Sequence, residues 1–396
     1  MGERCLQRPD AISAGPGARA ASGLPVLLLA TFFVFTNYAA LLSVVPMWAS
    51  RGGAADLAVG GTTGVMMAAT VATQLTMRRL FRLMSLRAMV IAGSVLMGVP
   101  ALFYPLSADV APILLLTAVR GVGFGLAVTA GATLVTEVAP PRRLSASASY
   151  FGAAAALPNL GALAGGVWIA ETIGFSVVFL SAGLAALAGA VVSWRLPGRA
   201  RGRFQPASTA DARGIAAPVV VFLMTAGVFG AVTAFLPLSG PDAGLAATAL
   251  LAASAALVAA RLAAGLVGDH HGAGRMLLGA AFTTALGCVL MAVALHGPAW
   301  LLLVGAVLLG AGFGACQNDS FVATVQRLGP TRSGTASTIW NIAYDGGLGM
   351  GAFALGGVLG RLGYAGAFLA SAAALTAVAV AVLVGGAARA RGALAE

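Results

Sequence analysis

The chain has 396 residues, 59% of them hydrophobic and 9% charged, with a mean hydropathy of +0.95. Soluble domains carry about a quarter charged residues, so this composition belongs in a bilayer and leaves no room for a soluble catalytic domain once ~20 residues are assigned to each span. The net charge of +11 would suggest a nucleic-acid partner in a soluble protein; here the arginines fall in short connections between apolar runs, where they act as topology signals, and no nucleic acid is expected.

Twelve apolar spans are predicted, near residues 24–49, 55–77, 87–107, 111–138, 145–170, 173–194, 217–239, 243–267, 274–296, 299–326, 333–360 and 363–386. They divide an all-α integral membrane protein into an N-terminal tail (1–23), a six-helix bundle (24–194), a linker (195–216), a second six-helix bundle (217–386) and a C-terminal tail (387–396). All 23 basic residues are arginine, and 19 of them lie in the tails and connections on one side. Arg51 and Arg361 lie opposite, and Arg120 and Arg261 lie inside spans. The bias predicts that both termini are cytoplasmic, and an arginine-only, alanine- and glycine-rich chain suggests a bacterial plasma membrane. Cys5, Cys288 and Cys316 have no metal or redox spacing, so no metal and no cofactor is expected.

Span four opens a segment that the chain writes twice. RGVGFGLAVTAGATLVTEVAPPRR (Arg120–Arg143) aligns without a gap on LGAGFGACQNDSFVATVQRLGPTR (Leu309–Arg332): Gly121, Gly123, Phe124 and Gly125 fall on Gly310, Gly312, Phe313 and Gly314. Repetition at so long a period predicts two structurally equivalent membrane halves. Arg120 has no basic counterpart, since Leu309 stands in the copy, and function is expected where the copies differ.

Ionisable groups inside a span are costly and mark cavities or partners. Asp345, near the middle of span eleven, is the first choice for a protonatable carboxylate, with Asp319 second and Arg120 as the cation that would approach it. A fixed structural pair beside Gly346 and Gly347 is the competing reading of Asp345. Arg261 is expected to snorkel to the membrane surface. Aromatics with scattered amides suit an amphipathic organic solute, which gives Asn37, Tyr38, Asn159, Phe229, Phe235, Gln317, Asn318, Trp340, Asn341 and Tyr344 as candidate solute contacts. Packing accounts equally well for any one of them. No catalytic residues are predicted: the chain has no Walker loop, HExxH or GxSxG pattern.

At the end of span eight, RLAAGLVGDHHGAGR places Gly265, Asp269, Gly272 and Arg275 at GxxxD and DxxG spacing. This resembles the cytoplasmic loop signature of the major facilitator superfamily, with His270 and Gly274 at positions that are basic in the signature. In the first-half loop, MRRLFRLMSLR, Arg78, Arg82 and Ser85 replace the usual glycine, aspartate and glycine. Arg120 with its glycines resembles the family's span-four motif. Gly161–Gly166 is similar to the antiporter motif with Ala162 in place of proline, and span eleven resembles that of bacterial drug:proton antiporters. The resemblance implies a monomeric, twelve-helix secondary transporter of two rocking bundles, exporting a small organic compound in exchange for protons. It implies a coupling role for Arg120 and a cytoplasmic gate at Gly265, Asp269, Gly272 and Arg275. Uptake of an anionic solute on Arg120, and a non-transporting scaffold or sensor, are the alternatives.

Overall fold

A computed structural model describes residues 16–138, 144–198, 209–240, 243–271, 273–329 and 332–395. Among the described residues there is no strand. The helices are α1 (Pro16–Arg51), α2 (Asp56–Leu75), α3 (Met77–Leu83), α4 (Leu86–Ala101), α5 (Val110–Val138), α6 (Leu144–Thr172), α7 (Phe175–Ser193), α8 (Thr209–Phe235), α9 (Ala243–His271), α10 (Leu277–Ala294), α11 (Trp300–Leu328) and α12 (Ser333–Ala395). Helix α12 is broken at Gly363, whose φ of 62° and ψ of 177° are open to glycine and strained for other residues. It therefore makes two crossings. Helix α3 is too short to cross; it buries Met77 and Phe81 and exposes Arg78 and Arg79. The remaining helices give the twelve crossings expected from the sequence.

Ten stretches among the described residues are long and apolar enough to span a bilayer, the last of them, Thr338–Gly385, holding both crossings of α12. Helix α2 is absent from that set because it carries Thr62, Thr63, Thr70, Thr73 and Gln74, all of them buried. A crossing this polar is stable only with its polar face turned to protein. Helices α1, α8 and α12 overrun the expected spans, starting at Pro16 and Thr209 and ending at Ala395; alanine is the commonest of the added residues, and it extends a helix readily.

The duplicated segment packs the same way in both halves. A Cβ at Gly121 would collide with the Met66 carbonyl of α2, and one at Gly310 with the Ala253 carbonyl of α9. Between them, Gly123 lies against Gly93 of α4, as Gly312 lies against Ala280 of α10, and Gly125 and Gly314 return to α2 and α9. Each copy thus wedges one helix between two others at backbone contact distance, the close approach that small residues allow in membranes.

Helices α1–α7 pack with one another, as do α8–α12, and the two sets meet where α2 faces α12, α6 faces α9 and α1 faces α8. On the side opposite the termini these contacts are shut. Ser43 Oγ of α1 donates to the Thr233 carbonyl of α8 at 2.6 Å. Gly60 of α2 sits on the Ala352 carbonyl, and Gly356 of α12 on the Asp56 carbonyl, with the Phe235 ring against both glycines.

Candidate functional site

Arg120 is 1% exposed, just before the glycines that wedge α5 into place. Its Nη2 donates to Asn37 Oδ1 at 3.0 Å and its Nη1 to the Tyr104 hydroxyl at 3.3 Å, with the guanidinium 5.7 Å from the centre of the Tyr104 ring. Asn37 is oriented for this by its own Nδ2, which donates to the Ala182 carbonyl at 2.9 Å. Both partners are neutral. Among the described residues no carboxylate pairs with Arg120, and its Nε has no partner. A buried cation held only by neutral acceptors keeps its charge available to an anionic group.

Asp345 lies across the interface, also 1% exposed. Its Oδ2 accepts from Gln74 Nε2 of α2 at 2.7 Å, so one hydrogen bond joins the two halves at this carboxyl group. Gln74 Oε1 is buried with no partner. Arg120, expected as the cation at Asp345, is engaged instead with Asn37 and Tyr104 inside the first half. Tyr38 stands between them: its ring stacks on Phe124 at 4.5 Å and 7°. It interacts electrostatically with Tyr344, Asp345 and Arg120. Its hydroxyl is buried and has no hydrogen bond of good geometry.

Arg261, expected to snorkel to the membrane surface, is half-buried and turned toward the first half. Its Nη2 lies 4.0 Å from the position a Cβ would take on Gly152 of α6, and it interacts with Tyr344. It belongs to the interface between the halves. Beside it, Phe222, Phe229, Phe313, Trp340 and Tyr344 form a near-parallel stack from α8, α11 and α12. Phe229 and Phe313 are 4.3 Å apart, Phe222 and Trp340 4.8 Å, and Trp340 and Tyr344 6.0 Å. Trp340 Nε1 donates to Ser320 Oγ at 3.1 Å, which fixes the edge of the stack.

The remaining predicted contacts divide. Gln317 is buried with an unpartnered Oε1. Asn318 is half-buried facing Gly265, and Asn159 and Asn341 are half-buried. Phe235 lies apart, packed where the halves are shut on the far side. Asp319, expected as a second proton carrier, has both oxygens engaged: Oδ1 accepts from the Gly274 amide at 2.8 Å and Oδ2 from the Met276 amide at 3.0 Å. Asp319 thus binds its carboxylate to the backbone amides that open α10. The side chain of Asp269 and the whole of Gly272 lie outside the described residues; Arg275 is exposed and Gly265 half-buried. No cluster of three His, Cys, Asp or Glu side chains occurs among the described residues.

Sequence reasoning missed Gln74, Phe222 and the inward course of Arg261. The first had a signal, an amide among threonines in an otherwise apolar span. The other two had none beyond residue type.

Twelve crossings in two similar halves, with opposite charges buried on either side of their interface, define a membrane protein built to carry a solute between its halves. The chain belongs to the major facilitator superfamily, whose family model matches residues 27–352. No sequence among curated proteins matches it. Solved structures with the same fold include a sulfate-bound mutant of the peptide transporter POT, at 13% identity and a TM-score of 0.75, covering 94% of this chain and 98% of that one. A D-xylose-proton symporter has 13% identity and a TM-score of 0.73, with coverage of 91% and 96%. A bacterial homologue of the human lysosomal transporter Spinster has 14% identity and a TM-score of 0.70, with coverage of 94% and 96%. The protein is a multi-pass transporter rather than an enzyme.

Proposed function

We propose that the protein exports a small organic compound across a bacterial plasma membrane in exchange for protons, as a monomer with both termini cytoplasmic and two bundles, 24–194 and 217–386, that alternate access to the centre. The observation that carries this reading is Asp345: a carboxyl group out of water, bonded across the interface to Gln74, with no ion pair to a cation among the described residues. Such a group exchanges its charge for a proton more cheaply than it stays ionised in a dry site. The neighbouring stack of flat rings, from Phe229 to Trp340, suits a planar amphipathic solute such as a drug or natural product. Gly265, Asp269, Gly272 and Arg275 form the cytoplasmic gate in this reading, braced by Asp319.

The test is intracellular accumulation of a panel of cationic dyes and amphipathic antibiotics, with and without the protein, before and after an uncoupler. Lower accumulation that the uncoupler reverses, and that Asp345→Asn abolishes, supports export. A second reading, uptake of an anionic solute, is favoured by the neutral partners of Arg120 and its free Nε. Loss of solute affinity in Arg120→Gln with proton flux intact supports that one.

A further inference from the structure

We infer that Gln74 is the positioning residue that converts the proton on Asp345 into closure of the α2/α12 interface on the far side. The inference rests on the proposed proton-carrying role of Asp345. Its basis is the geometry of one amide against one carboxyl group. Gln74 Nε2 donates to Asp345 Oδ2, and among the described residues the amide oxygen beside it is buried without a partner; an ionised Asp345 has no proton to give it. A protonated Asp345 offers an O–H on the same edge, so the acid can donate to Gln74 Oε1 while it still accepts from Nε2. One cross-interface hydrogen bond becomes two, and the orphaned acceptor is satisfied. An unsatisfied buried acceptor is costly and its pairing is favourable, so the proton draws α2 and α12 together.

The pair is placed to act on the whole contact. From Gln74 and Asp345, the two helices run antiparallel with a glycine at each level of the contact, Gly349 against Met67, Gly64 against Phe353, Gly60 against Ala352 and Gly356 against Asp56. Helices that meet at backbone distance at Gly60 and Gly356 fit closely or not at all, which makes this contact responsive to a single bond at its base.

The groups that face Asp345 from its surroundings are few. Helix α1 presents Tyr38, α12 itself presents Tyr344, and Arg120 of α5 and Arg261 of α9 act on those two tyrosines. Gln74 is the facing polar group of α2, whose Asp56 lies at the far end. Within the crossing portion of α8 there is no ionisable residue, α10 carries only Cys288, and α11 carries Cys316, Asp319, which is bound to backbone amides, and Arg327, which in its last turn donates to the Gly214 carbonyl. Asp345 is therefore the buried acid of this contact among the described residues, Asp56 being half-exposed at its far end, and Gln74 is its reader.

The test is a distance measured across the far side as pH changes. Spin labels at Leu106→Cys and Ala299→Cys, exposed positions in far-side connections of the two halves, are introduced after Cys5, Cys288 and Cys316 are replaced by alanine. Pulsed dipolar spectroscopy in nanodiscs, without solute, then gives the ratio of short to long distances. Lowering the pH from about 8 to about 5 is expected to raise that ratio by about tenfold, the worth of one added buried hydrogen bond. Asp345→Asn, whose amide pairs with Gln74 as the protonated acid does, is expected to show the short distance at every pH. Gln74→Leu is expected to lose the pH response. A Gln74→Leu protein that keeps the full response overturns the inference, as does an acid-induced shift to the long distance. If Gln74→Leu does not fold, Asp345→Asn decides: a pH response equal to that of the parent overturns the inference. Failure of the export reading would show separately, as uncoupler-insensitive accumulation, because the distances are read with no solute present.

Discussion

Replacing Asp319 by alanine asks whether this carboxylate braces the connection between α9 and α10 or carries protons. Its oxygens accept the Gly274 and Met276 amides at 2.8 and 3.0 Å, and Asp319 is 2% exposed. Hydrogen bonds to a charged group contribute about 1.5–3 kcal/mol each. The two amides lie in a part-buried connection where water can replace some of what is lost, which brings the expected destabilisation to about 2–4 kcal/mol for Asp319→Ala. Asp319→Asn keeps one acceptor and is expected to lose roughly half as much. Thermal unfolding of the purified protein reads the stability, and uncoupler-sensitive efflux in vesicles, normalised to folded protein, reads the coupling. A brace predicts lower unfolding temperatures for both variants with efflux retained in Asp319→Asn. An unchanged unfolding temperature with efflux abolished would refute the bracing role and return Asp319 to proton transfer.

Arg120→Lys keeps the charge but loses the planar fork that spans Asn37 and Tyr104; it should cost about 1–3 kcal/mol of stability and weaken solute binding at least as much as Asn37→Ala, measured by calorimetric unfolding and by solute-induced thermal shift. Gly310→Ala should destabilise the fold by ~1–3 kcal/mol or more, because its new methyl meets the Ala253 carbonyl. Gly161→Ala, which meets nothing within 4 Å, should be neutral or stabilising by about 0.5–1 kcal/mol on the same thermal assay. Arg51→Ala breaks the pair with Glu171 at 2.8 Å and the contact with Phe175 at 4.6 Å; at a site this exposed the change should stay within about 1 kcal/mol, and a larger drop in thermal stability would show that the far-side rim is more rigid than its exposure suggests.

Much of the architecture was legible because a bilayer leaves few choices. Apolar runs of the right length, arginines on one side of them and a glycine pattern written twice are enough to count crossings and pair the halves. Span two tests the limit of that reading. Its threonines and Gln74 lower its hydropathy, and the reason they are tolerated, burial against α5 and α12, appears only when the helices are assembled. The site was legible in its parts and not in its pairing. Arg120 and Asp345 stand out as charges in apolar surroundings, but which neighbour each takes depends on helix rotation, which sequence spacing does not fix. Arg120 finds Asn37 and Tyr104, and Asp345 finds Gln74. Arg261 misled for the same reason: its position one turn before Gly265 allows a path to the surface, whereas its rotation on α9 turns it toward α6 and Tyr344.

The asymmetry of the duplication then has a physical meaning. What the two copies share, the glycine wedges of α5 and α11, is what any pair of equivalent bundles needs in order to pack. What they do not share is charge: Arg120 stands opposite Leu309, and Asp319 opposite Ala130. One half therefore buries a cation held by neutral groups, and the other places an acid and Arg261 at the interface and buries a second carboxylate bound to the backbone amides of its own connection. Two symmetric halves with symmetric charges would respond alike to a proton and give it no direction. In the proposed cycle, with the acid that takes up the proton on one half and its amide partner on the other, a single protonation would change only the contact between them, which is the degree of freedom an alternating-access cycle has to control.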